Sequence, residues 1–112
     1  MTEPVDVTLS ALADPMRRAI VSLLSEGPEQ PSAIAAALGT TRPAVSRHLR
    51  VLRQAGIVRE ELQADDARTR VYELRPEPFE QLRGWIEQVE AFWSDPLLAF
   101  KRHAERGTRR RR

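Results

Sequence analysis

Residues 41–60 read TRPAVSRHLRVLRQAGIVRE, and the periodicity of this stretch decides the fold. Pro43 falls in a first helical turn, where no amide hydrogen is needed, and Gly56 ends the segment. With Arg42 at 0° and an advance of about 100° per residue, Val45, Leu49 and Leu52 cluster at about 300°, 340° and 280°. Ser46, Arg50, Pro43, Gln54 and Arg47 spread from about 40° to 140° on the opposite side. One face is therefore a core stripe, and the other is small at its start and cationic along its length. A helix that enters a major groove needs such a face: small residues permit approach, Ser46 can meet base edges, and arginine can grip guanine O6 and N7 together. Arg47 and Arg50 are the candidates for base contact. Arg53, near 20°, borders the core, so its stem packs while its head meets a phosphate or an acid. His48, near 240°, is a structural or phosphate-contacting imidazole. The competing reading of the same face is plain solvation.

Working upstream, residues 32–38 (SAIAAAL) form a short helix that starts at Ser32 or Gln30 and turns Ile34, Ala35 and Leu38 inward. Gly39 caps it. Only Gly39, Thr40 and Thr41 separate it from the helix that begins at Arg42. Before it, Asp14-Pro15 is an N-cap followed by proline at the first helical position. That helix carries Met16, Ile20, Leu23 and Leu24 on one face and stops near Gly27-Pro28. Val5, Leu9 and Leu12 recur at i, i+4 and i+7, which predicts a first helix ending near Ala13.

Downstream, Ile57–Gln63 and Thr69–Leu74 flank residues 64–68 (ADDAR) and read as a β-hairpin. Pro76 and Pro78 open a long helix in which Phe79, Leu82, Ile86, Val89 and Trp93 step by three and four, with Trp85 and Phe92 widening the stripe. Residues 79–94 hold two Trp and two Phe, more apolar surface than one small domain covers. A symmetric interface shared with the Leu9/Leu12 helix explains the surplus. Asp95-Pro96 ends or kinks this helix before a restart at PLLAFKRHAE. Residues 1–105 are predicted to form one domain, and 106–112 (RGTRRRR) an irregular, disordered tail.

Composition narrows the function. At 112 residues there is space for one domain and no separate cofactor module. Zero cysteines remove disulfides and thiolate metal sites. No apolar run approaches the ~18 residues of a membrane helix. The first ten residues, MTEPVDVTLS, are acidic and lack an apolar h-region, which predicts no export signal and a cytoplasmic protein without membrane contact. The net charge of +2 hides an asymmetry: residues 1–105 carry 13 basic and 16 acidic groups, whereas 40–59 carry five arginines and no carboxylate. Such a segment in an acidic domain is where a polyanion binds. No Ser–His–acid set or glycine-rich phosphate loop is present, so no enzyme is expected.

Three helices followed by a hairpin, mainly α with a two-stranded wing, is the winged helix-turn-helix arrangement. LADPMRRAIVSLL, TRPAVSRHLRVLRQAGIVRE and RTRVYEL resemble the ArsR family of transcriptional regulators from about Leu9 to Leu98, with S-R-H-L-x-V-L-x-x-A-G-[IL]-V as the specific run. The resemblance implies a homodimer joined through its first and last helices, with Leu9, Leu12, Phe79, Leu82, Trp85, Ile86, Val89, Phe92 and Trp93 at the interface. It also implies a recognition helix from Arg42 to Gln54 that binds double-stranded DNA, with Ser32, Thr41, Arg42, Pro43, Ser46, Arg47, His48, Arg50 and Arg53 at the site. Arg68 and Arg70 stand where the family uses basic wing residues, although Asp65-Asp66 at the tip would repel phosphate. Many such regulators sense metals through cysteines on the third helix or Asp/His sets on the last one. Here SAIAAAL offers no ligand, Glu87, Glu90 and Asp95 have no nearby histidine, and His103 lies among Lys101, Arg102 and Arg106. No cofactor is expected. Repression is the implied mode. An effector-gated sensor, or a module whose aromatic helix binds another protein, is the alternative.

Overall fold

A computed structural model describes residues 3–63, 66–94 and 96–110. The elements run α1 (Pro4–Ala11), α2 (Pro15–Leu24), α3 (Pro31–Leu38), α4 (Arg42–Gln54), β1 (Val58–Gln63), β2 (Asp66–Leu74), α5 (Pro76–Ser94) and α6 (Pro96–Arg110). The chain divides into two compact units, Met1–Gln81 and Leu82–Arg112.

In the first unit the start of α2, the turn after α3 and the start of α4 fall where the sequence places them. The Asp14 carboxylate accepts from the amides of Met16 at 2.8 Å and Arg17 at 3.2 Å, and the Arg17 amide above all holds its carboxyl below the usual range. Thr41 Oγ1 accepts from the Ala44 amide at 3.2 Å, capping α4. Between α3 and α4 the chain reverses through Gly39 at φ +63°, a left-handed conformation that costs a side-chain-bearing residue free energy. The Thr40 amide then returns to the Ala35 carbonyl at 3.0 Å. Proline opens α3 at Pro31, one residue before Ser32.

The core lies under α4. Val45, Leu49 and Leu52 are buried against Ile20 and Leu24 of α2, Ile34 and Ala35 of α3, and Ile57 and Val58 at the start of the hairpin. Helix α1 buries Thr8 and Ala11 and leaves Leu9 exposed. It ends at Ala11, two residues short of expectation.

β1 and β2 pair antiparallel, Val58 opposite Leu74 and Leu62 opposite Arg70, after which the register slips so that Gln63 faces Asp66. The second strand thus begins three residues earlier than the sequence predicts, because this irregularity absorbs residues that alternation alone assigns to a loop. The segment before α3 adds a bridge to the hairpin: Glu29 pairs with Tyr72.

In the second unit the Arg102 guanidinium of α6 lies 4.8 Å from the Phe92 ring centroid of α5. Helix α6 continues through Arg110, where the sequence predicts an irregular tail from residue 106. Arginine is a good helix former, and nothing in RGTRR breaks a helix except the single glycine. Residues 111 and 112 lie outside the described set. Among the described residues no helix is long and apolar enough to cross a membrane.

Candidate nucleic-acid interface

α3 and α4, joined by their three-residue turn, present the outer face of α4 to solvent. Pro43, Ser46, Arg47, Arg50 and Gln54 are exposed, as are Arg42 and Thr41. The packing that fixes this face is the Val45–Leu49–Leu52 stripe, whose members are at most 1% exposed. The α4 orientation is therefore set by hydrophobic burial on one side, and the cations project because they cannot share it.

Pairing separates the arginines of Met1–Gln81 into two groups. Arg17 meets Asp14 at 3.9 Å, Arg53 meets Glu60 at 2.6 Å, Arg59 meets Glu61 at 3.3 Å and also Glu73, Arg70 meets Glu60, and Arg75 meets Glu77 at 3.8 Å. Arg42, Arg47 and Arg50 of α4 have no carboxylate partner among the described residues, and neither does Arg18 of α2, whose Nη1 instead donates to the Leu12 carbonyl at 2.7 Å. The helix that reads as a recognition helix thus keeps its outward cations free for an external anion.

Beside it runs an open groove of about 500 Å³, walled by Ser32 and Pro31 of α3, Arg42 and Ser46 of α4, and Glu60, Arg70 and Tyr72 of the hairpin. Ser32, Arg42, Ser46 and Arg70, separated by up to 38 positions in the chain, come together there. Arg47 and Arg50 stand further round α4. Arg53 behaves as its helical angle implies: its head finds an acid, Glu60. Arg70 is held by the same carboxylate, so the wing arginine is engaged within the protein. His48 is half-buried and turned toward α2, with Nδ1 3.5 Å from Arg17 Nη1, so it does not line the groove. The Arg68 side chain, the Asp66 side chain and all of Asp65 lie outside the described residues.

Sequence reasoning missed Glu60, which links α4 to both strands, and Tyr72, whose hydroxyl donates to Glu60 at 3.2 Å. Period-two alternation places Glu60 on one strand face, but the partners that converge on it are distant in sequence.

Of the expected interface residues, Leu12 and Phe79 pack partly against the core of their own protomer. Leu82 and Val89 are half-buried, whereas Leu9, Trp85, Ile86, Phe92 and Trp93 are 40–56% exposed. Among the described residues no group of three or more His, Cys, Asp or Glu is placed to hold a metal ion.

A three-helix core with a two-stranded wing and an outward, unpaired cationic helix defines a winged helix-turn-helix protein. The chain belongs to the ArsR family: residues 14–60 match the family described as bacterial regulatory protein, arsR family. The HTH-type transcriptional regulator Rv2034 of Mycobacterium tuberculosis is 38% identical over 95 residues, spanning 85% of this chain and 83% of that protein. The crystal structure of an ArsR family transcriptional regulator, RHA00566, superposes with a TM-score of 0.72 at 30% identity, covering 83% of this chain and 99% of that one. The winged helix-turn-helix DNA-binding domain Mb0332 of Mycobacterium bovis, solved in solution as a homodimer, matches with a TM-score of 0.62 at 25% identity over 83% of this chain and 85% of its own. These relatives are described as transcriptional regulators or a DNA-binding domain, not enzymes.

Proposed function

We propose that this protein is a sequence-specific double-stranded DNA-binding regulator that works as a homodimer on an inverted-repeat operator and represses by occluding a promoter. The observation that carries the reading is the pairing contrast: Arg42, Arg47 and Arg50 project from α4 without a carboxylate partner among the described residues, while five other arginines of the same unit have one. In this reading Ser46, Arg47 and Arg50 meet base edges, and Ser32, Thr41 and Arg42 meet phosphates.

Dimerisation supplies the second half of the site. Leu9 on α1 and Trp85, Ile86, Phe92 and Trp93 on α5 are the exposed apolar side chains that a second copy would cover. That the M. bovis relative is a homodimer supports this. Two recognition helices then stand about 34 Å apart, one turn of duplex. The site of action is the cytoplasm, and no cofactor is needed for DNA contact.

Footprinting on the DNA upstream of the protein's own gene tests the reading. The expected result is two protected half-sites of opposite orientation, spaced by about one helical turn. Uniform protection, or none at micromolar protein, would contradict it.

A further inference from the structure

Glu60 is the most heavily engaged side chain at the edge of the groove. Its Oε2 accepts from Arg53 Nη1 at 2.6 Å and from the Tyr72 hydroxyl at 3.2 Å, and its Oε1 accepts from Arg70 Nη1. These donors come from α4 and β2, so one carboxylate ties the recognition helix to both strands of the wing. The Glu60 side chain is only 13% exposed, whereas Arg53 and Arg70 remain 57% and 64% exposed. Each guanidinium has five N–H donors, and Nη1 is the group given to Glu60. Each arginine side chain still faces solvent over more than half of its surface, while its Nη1 is tied to the carboxylate.

A phosphate backbone meets these arginines differently from mobile ones. A tethered arginine reaches a phosphate only where the duplex sits in one register, whereas a mobile arginine tracks phosphates in any register. The carboxylate also cancels part of the charge that drives sequence-independent attraction, which depends on how many cations are available to phosphates. Both effects weaken binding to arbitrary DNA. In the docked complex the fixed arginines bind without a further ordering cost.

We propose that Glu60 is a specificity-determining positioning residue: by holding Arg53 and Arg70 in fixed places, it suppresses binding to arbitrary duplex and preserves binding to the operator. This rests on the reading of the protein as a DNA-binding regulator. Glu60 touches no base itself and acts through the two arginines.

The test is a titration of the full-length protein with its own upstream duplex and with a scrambled duplex of equal length, over a salt series. Three variants are compared: Glu60→Gln, which is isosteric; Glu60→Asp, which keeps the charge on a shorter arm; and Glu26→Gln, an exposed site beyond α2 that makes the same change in charge. For Glu60→Gln, affinity for scrambled duplex rises, its salt slope steepens by about two per dimer, and the operator-to-scrambled ratio falls about tenfold. Glu60→Asp lies between wild type and Glu60→Gln in that ratio. Glu26→Gln leaves the ratio at the wild-type value. The proposal is overturned if Glu60→Gln matches Glu26→Gln, or if it weakens both duplexes equally, which is the mark of a purely structural role. If the wild-type protein binds neither duplex, the DNA-binding reading fails and this inference with it.

Discussion

The backbones of Glu29 and Tyr72 bond to each other in both directions, amide to carbonyl at 3.1 Å and 2.9 Å. This bridge fastens the segment entering α3 to the middle of β2. One wall of the groove carries Ser32 and the other carries Arg70, so the bridge sets the spacing between helix-turn-helix and wing. Glu29→Pro removes the Glu29 donor. It should cost about 1 kcal/mol of stability, expose the Tyr72 amide to faster hydrogen exchange, and weaken operator binding while the fold is kept. Unchanged exchange at Tyr72 would show that the bridge does not hold the wing.

The core stripe of α4 is what aims the cations outward. Leu49→Ala leaves a cavity in a position only 1% exposed and should cost about 3 kcal/mol in urea unfolding. Thr41→Ala removes only the α4 cap and should cost about 1 kcal/mol. If the two losses were equal, burial would not be the dominant restraint on α4.

Acid should act on Glu60 in a definite direction. The hydrogen bond from Arg70 is the largest influence holding its carboxyl below the usual glutamate range. A carboxyl with a lowered folded-state value contributes stability that is complete above its unfolded value, about 4.3, and is lost as pH falls through the folded value. Wild type should therefore exceed Glu60→Gln in stability at pH 7, and the gap should close below about pH 4. Unfolding curves of both proteins from pH 7 to pH 3 measure it, and a gap that stays constant would mean the ionised carboxylate contributes nothing.

Trp93 is 56% exposed on α5, a large cost in water for an indole unless something covers it. Trp93→Glu should shift sedimentation from dimer to protomer and roughly halve the slope of log affinity against log salt, because half the phosphate contacts leave with the partner. A wild-type chain that sediments as a protomer at every concentration would remove the dimer from the mechanism.

Much of this architecture is legible in local chemistry. Asp14-Pro15 marks the start of α2, Gly39 the turn, Thr41 with Pro43 the start of α4, and the 45–49–52 spacing its buried side; each depends on residues a few positions apart. The pairing of Glu29 with Tyr72 and the capture of Arg53 and Arg70 by Glu60 join residues up to 43 positions apart, and no short-range pattern encodes them. The same holds for the hairpin register: the slip after Leu62 breaks the alternation by which a strand is recognised. In α6 a run rich in arginine reads as an unstructured end, yet arginine favours helix once α6 is under way.

The most direct measurement is the affinity of wild type, Arg47→Ala and Arg50→Ala for the operator duplex and for a scrambled one, across a salt series. About ten phosphate contacts per dimer give a wild-type slope near −9 on the operator. Each alanine variant should lose about 1–3 kcal/mol of discrimination per base contact on the operator and far less on the scrambled duplex. Equal losses on the two duplexes, or wild-type affinity that does not distinguish them, would contradict the assignment of α4 as the element that reads sequence.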